Sequence, residues 1–211
     1  ICIIFSMDQL IRFFLDKIHS KKVKIDCIGD AMIDEYYEVK VTRINPEHPV
    51  PVMLCQNETV RKPGGSANVA YQLKNINADV RLITFSDPNA SKIFYKEGLN
   101  PYDLGPEAQL PVKRRYVENG LQVGPRLDIE FENCKLTDEQ INQYFDLTKK
   151  YAQQNGIADV VILSDYNKGF FKAEENFTSI FQGAITIVDP KSKNLTKWKN
   201  CTIFKPNAKE A

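Results

Sequence analysis

Three short runs towards the carboxyl end, Asp159 to Ser164 (DVVILS), Ala184 to Asp189 (AITIVD) and Cys201 to Lys205 (CTIFK), are apolar without the alternation of a half-buried strand. Uninterrupted strands of this kind are covered on both faces, as in a parallel sheet packed between helices. Helical segments alternate with them. Thr137-Asp138-Glu139-Gln140 forms a capping box, and Ile141, Tyr144, Phe145, Thr148 and Ala152 then follow one helical face until Asn155-Gly156 ends it. A further helical segment is expected at about 172–182. The same rhythm starts near the amino end, where Ile11, Phe14, Leu15 and Ile18 predict a helix over 8–19 and Lys24 to Gly29 a strand. Ala67, Ala70, Leu73 and Ile76 predict another helix, and Val80 to Phe85 another strand. The expected fold class is α/β, a parallel sheet flanked by helices.

Two stretches break the rhythm. Between 35 and 62 the β-prone runs Tyr36 to Thr42 and Val50 to Cys55 are punctuated by Pro46, Pro49 and Pro51. Between 112 and 132, Val112 to Val117 and Arg126 to Glu132 flank the turn dipeptide Asn119-Gly120. Both are expected to form a small β-lid on a single domain spanning 1–211. Residues 86–111 carry four prolines and one short helical possibility, Ala90 to Lys96.

Composition narrows the partners. With 211 residues, 43% of them hydrophobic and 26% charged, and a net charge of +1, the chain can bury one sizeable core. It has no basic stripe interleaved with aromatics, so nucleic acid is not an expected partner. Ile1 to Ser6 is too short for a signal or a membrane span, and Met7 is a plausible start that would leave a few extraneous residues before it. No membrane association is expected. Five scattered cysteines without a CxxC pair read as reduced thiols in a cytoplasmic protein. The sequons at Asn57, Asn176, Asn194 and Asn200 are read as chance.

Ligands of parallel sheets bind beyond the carboxyl ends of the strands. Four such ends here are Gly29-Asp30-Ala31-Met32-Ile33-Asp34, Ser164-Asp165-Tyr166-Asn167-Lys168-Gly169, Asp189-Pro190-Lys191 and Lys205-Pro206-Asn207-Ala208-Lys209-Glu210. Their carboxylates, amides and lysines suit a polyol and a phosphate-bearing nucleotide, although each taken singly reads equally well as a cap or a turn. In Pro63-Gly64-Gly65-Ser66-Ala67-Asn68-Val69-Ala70 a Gly-Gly turn breaks an extended run and a helix begins at once. Glycine permits positive φ and close approach to the backbone, and the free N–H groups of the helix start favour polar or anionic ligand groups.

Taken in this order, the GDAMID, TRINPE, PVPV and PGGSANVA segments resemble the ribokinase (PfkB) family of sugar kinases. So do Lys113 to Arg115, RLDIE at 126–130, LSDYNKG at 163–169, VDPK at 188–191 and KPN at 205–207. The resemblance is closest to the D-glycero-β-D-manno-heptose-7-phosphate kinases and covers about Lys24 to Ala211. It implies a ribokinase-like fold and an ATP- and Mg²⁺-dependent transfer to the anomeric hydroxyl of a sugar phosphate. Asp34, Gly64, Gly65 and Asn68 would bind sugar hydroxyls, with Asp165 and Lys168 near the substrate. Arg43, Lys113, Arg115 and Arg126 are candidates for the substrate phosphate, although surface salt bridges are nearly as good a reading of all four. Lys191, Asn207 and Glu210 would serve the nucleotide, the last two holding Mg²⁺ through water. A homodimer through the lid is also expected. The family's Gly-Ala-Gly-Asp motif, which carries the catalytic base, occurs nowhere in the 211 residues. The chain as given is therefore expected to be a truncated domain without activity, and the alternatives are another sugar kinase of the family or a non-catalytic sugar-phosphate-binding protein.

Overall fold

The computed structural model describes residues 12, 15–16, 20, 23–57, 59–104, 109–130, 138–172, 175–191 and 194–208. Most of the 8–19 helix, and Thr137 of the capping box, lie outside this set.

The strands read from continuous apolar runs form one sheet. β1 (Lys24–Gly29) is central; β5 (Asp79–Thr84) and β6 (Pro101–Asp103) lie to one side, and β10 (Val160–Ser164), β11 (Ile185–Asp189) and β12 (Ile203–Phe204) to the other. Every pairing is parallel, with Cys27 beside both Ile162 and Leu82. The helices α1 (Ser66–Asn75), α2 (Pro88–Lys96) and α3 (Asp138–Asn155) accompany the sheet. α2 begins two residues before the expected 90–96, because the Asp87 carboxylate accepts the Asn89 and Ala90 N–H groups and Pro88 fits the first turn. The core closes where the fully buried rings of Phe85, Tyr144 and Phe170 stack, with successive centroids 5.4 Å apart.

A second sheet is built on β2 (Ala31–Ile44), which starts one residue after β1 ends. β3 (Pro51–Cys55) and β4 (Val60–Gly65) pair with it antiparallel, and β7 (Val112–Glu118) pairs parallel. β8 (Leu121–Gln122) and β9 (Leu127–Ile129) fold back on β7, and the first of these hairpins turns at Asn119 and Gly120, both at positive φ. This sheet draws its strands β3, β4, β7, β8 and β9 from within 35–65 and 112–130; Phe131 and Glu132 of the expected strand lie outside the described residues. It also begins earlier, because Ala31, Met32 and Ile33 are strand rather than loop.

Two expectations are corrected. Gly64 and Gly65 do not form a turn; they are the last residues of β4, paired with Met32 and Ala31. The strand passes so close to β2 that a Cβ on Gly64 would meet Asp34 Oδ2 at 2.7 Å, and one on Gly65, at φ +59°, would meet the Asp30 carbonyl at 2.3 Å. The helix expected at 172–182 is, among the described residues, a 3₁₀ turn over Phe177–Phe181. Asn176 caps its start, and Gly183 at φ +94° redirects the chain, which leaves room for little more than a turn.

Candidate functional site

The carboxyl ends of the core strands are locked together by side chains from the strand-end loops. Gly29 pairs with Ser164, and Ser164 with Asp189. Asp30 is fully buried, and its carboxylate accepts N–H groups from Tyr166 (2.9 Å), Lys168 (3.1 Å) and Phe170 (2.9 Å), fixing the loop that follows β10. Burial pushes its pKa up to about 6; the three N–H donors oppose that shift, and the nearby Asp165 charge adds to it. Asp165, expected beside the substrate, is also buried. One of its oxygens accepts the Asn167 N–H at 2.7 Å and the other the Lys191 N–H at 3.1 Å, joining two loops. Ser66 Oγ and Thr84 Oγ1 both donate to the Gly29 carbonyl, and the Ser66 N–H donates to the Asp30 carbonyl. The start of α1 is thereby held against the end of β1.

The second sheet presents a row of charges to this edge. In the pairing register Asp34 lies beside Lys113, and Lys113 beside Asp128, so the three side chains share one face. Alternation adds Arg115 to that face. Arg115 Nη1 donates to Asp34 Oδ1 at 2.5 Å, and its guanidinium lies over the Tyr36 ring. Lys113 Nζ sits 5.1 Å from the centre of the Tyr166 ring, so the face looks onto the loop that Asp30 anchors. Burial lowers the Lys113 pKa, and the Asp34 charge opposes this most. Arg126 grips Asp128 with Nε and Nη2 at 2.7 and 2.8 Å, and Lys168 Nζ reaches Glu130 at 2.5 Å. The opposite face carries Glu35, almost wholly buried between Arg61 (2.7 Å) and Arg114 (2.9 Å).

The expected residues are therefore only partly gathered. Asp34, Gly64, Gly65, Lys113, Arg115, Arg126 and Lys168 meet where the second sheet faces the strand ends. Asn68 is exposed in the first turn of α1, with its Oδ1 accepting from Gln72 Nε2 at 3.4 Å. Arg43 is not brought to this group: it lies nine residues beyond Asp34 on β2, roughly 30 Å of extended strand, exposed and opposite Val52. Lys191 and Asn207 follow β11 and β12 at the same edge of the core sheet. Glu210 lies outside the described residues. The sequence reading singled out neither Asp30 and Glu35 as anchors nor Lys62, which is in register with Asp34. Glu35 could have been found only by knowing the strand register, which sets it against Arg61 and Arg114.

Among the described residues no cluster of His, Cys, Asp and Glu could by itself hold a metal ion. No helix there is long and apolar enough to cross a membrane.

No family profile matches the chain. It is 35% identical over 199 residues to the bifunctional protein HldE of a Nitratiruptor species, a match covering 90% of this chain and 41% of that protein. The HldE of Chromohalobacter salexigens is 32% identical over 206 residues, covering 93% and 41%. Over nine tenths of its length the chain is similar to HldE proteins. It spans about two fifths of the length of the curated relatives it matches. Among solved structures, phosphofructokinase-2 from Escherichia coli superposes with a TM-score of 0.64 at 17% identity, covering 89% of this chain and 62% of that one. Ribokinase from Thermotoga maritima gives 0.57 at 19% identity, covering 89% and 60%. At these identities the superpositions establish a ribokinase-like fold, as the resemblance implied.

Proposed function

We propose that this chain provides the sugar-phosphate-binding part of an ATP-dependent sugar kinase whose substrate is D-glycero-β-D-manno-heptose 7-phosphate. The observation that carries the reading is the pair Asp34 and Lys113, flanked by Arg115 and Arg126 and turned towards the strand ends of a ribokinase-like sheet. Similarity to the HldE proteins over nine tenths of the chain supports it. In this reading the Asp34 carboxylate accepts hydrogen bonds from adjacent sugar hydroxyls. Gly64, lacking a side chain, leaves the room beside it. Asn68 extends the polar edge, and Lys113, Arg115, Arg126 and Lys168 neutralise the phosphate already on the sugar. Asp165 acts indirectly, by positioning the loop that carries Tyr166 and Lys168.

Mg²⁺-ATP, when bound, supplies the phosphoryl group. The residues present suit it in kind: Lys191 and Asn207 bring a cation and an amide to the carboxyl ends of β11 and β12, where a nucleotide of this fold class belongs. Glu210 would complete the set. The 211 residues contain no Gly-Ala-Gly-Asp, so binding is assigned to this chain and turnover is not. The second sheet, lid segments 35–62 and 112–132 included, closes over the sugar and excludes water. Exposed Ile44, Leu54 and Leu121 on that sheet make it the surface through which two copies would pair, in a cytoplasmic enzyme.

The deciding experiment offers a panel of sugars and sugar phosphates, with and without Mg²⁺-ATP, to the protein and follows binding by calorimetry and turnover by ADP release. Preferred binding of the heptose 7-phosphate is expected, with no turnover by the 211-residue chain. A clear preference for an unphosphorylated sugar would sink the assignment.

A further inference from the structure

The cations assigned to the phosphate are not waiting empty-handed. Asp128 engages Arg126 through both oxygens, at 2.7 and 2.8 Å, and a guanidinium fork so occupied is the same fork that would receive two phosphate oxygens. Glu130, two residues on and on the same side of the chain by alternation, takes Lys168 at 2.5 Å. Lys113 stands in register beside Asp128. Strand pairing therefore brings two carboxylates that have no assigned part in binding the sugar against the donors that have one.

We infer that Asp128 and Glu130 are specificity-determining residues: internal counter-anions that hold the phosphate-binding donors until a phosphate displaces them. The inference rests on reading this face as a sugar-phosphate site. Its physical logic is an exchange. A neutral sugar brings no charge to replace a carboxylate, so Arg126 and Lys168 stay paired and contribute nothing to its binding. A dianion brings more charge than the carboxylate it displaces and takes over both donors. The pairs suit exchange because they are partly exposed, with Arg126 about half and Glu130 about two fifths accessible, and such pairs are weak enough to open. They also keep the free protein from presenting a concentrated positive patch to unrelated anions. Arg126, more than any other group, holds the Asp128 carboxyl below the usual carboxylate range, so the counter-anion remains charged at neutral pH.

The test uses the full chain and its Asp128→Asn and Glu130→Gln variants, titrated calorimetrically with inorganic phosphate and, separately, with unphosphorylated heptose. Each variant should bind phosphate about two- to fivefold more tightly than the parent chain, the range for one weak competing pair. The gain should shrink in about 0.5 M salt, where exposed charges are screened. Heptose binding should not change. Weaker or unchanged phosphate binding in the variants would overturn the inference, as would a loss of heptose binding, which would make the carboxylates sugar ligands instead. Should one variant fail to fold, as judged by its thermal melt, the other decides. If the parent chain shows no preference for heptose 7-phosphate over heptose, the sugar-phosphate reading fails. A gain for inorganic phosphate in the variants would still establish the exchange.

Discussion

Asp30 and Asp34 lie four residues apart in one GDAMID segment, and the fold uses them in opposite ways. Around Asp30 three backbone N–H groups converge on a carboxylate with no exposed surface. Around Asp34 the Arg115 guanidinium engages one oxygen, and a glycine stands where any other residue would crowd the second. Adjacent strand geometry explains the contrast. Asp30 is the single residue between β1 and β2, pointing into the loop it must close, whereas Asp34 is four residues into β2 on a face that looks outward to the strand ends. A carboxylate at a strand end is thus no guide to ligand binding until its neighbours are known. The sealed one braces the loop after β10, and the open one is the proposed sugar ligand.

The largest expected effect follows from the sealed region. Asp30→Ala leaves three N–H groups without their acceptor in a partly buried loop and should cost on the order of 3 kcal/mol of stability, read from urea unfolding. A loss below about 1 kcal/mol would mean the loop re-forms its bonds and the contrast with Asp34 is false. Glu35→Gln sharpens the comparison from within the second sheet. Glu35 neighbours Asp34 in sequence but is buried between Arg61 and Arg114 on the other face, so it should behave like Asp30, losing about 1–2 kcal/mol of stability with sugar affinity unchanged. Selective loss of sugar binding would place the ligand on the wrong face.

The smallest effect is a pH dependence. Asp30 has a folded-state pKa of about 6 against an ordinary 3.8. Between those values the folded chain holds the proton more tightly than the unfolded one. Its contribution to stability therefore grows as pH falls through that window and is lost as pH rises through about 6. The stability of the parent chain minus that of Asp30→Asn should rise from pH 7 to pH 5. A fall would show that the charged carboxylate is the form the loop requires.

What the sequence disclosed depended on whether a segment's role is local. β1, β5, β10 and β11 were legible within a residue or two because a strand covered on both faces writes itself as an apolar run. β4 was read only as an extended run ending in a turn: VRKPGG has neither alternation nor β-branched content beyond Val60, and its strand geometry comes from pairing with β2. The 3₁₀ turns were missed for the same reason, although their starts were in plain view. Asn176 and Asn194, read as chance sequons, accept the N–H of the Thr two residues on and cap the turns over Phe177–Phe181 and Leu195–Trp198. At the candidate site, the residues that the motifs point to around Asp34 lie together, while Arg43 lies apart because its distance from Asp34 is set by a strand far longer than the expected one. The partnerships Asp30 with the 166–170 loop and Glu35 with Arg61 and Arg114 are long-range, and no local pattern carries them.

The central claim is that the Asp34 face holds the sugar, and the most direct measurement is a calorimetric titration of D-glycero-β-D-manno-heptose 7-phosphate into the parent chain and Asp34→Ala, with a nucleotide titration of both alongside. The account predicts a loss on the order of 1–3 kcal/mol in sugar-phosphate binding, with thermal stability and nucleotide affinity nearly unchanged. Equal losses of sugar and nucleotide affinity, or a fall in stability with no selective loss of sugar, would contradict it and make Asp34 a second Asp30.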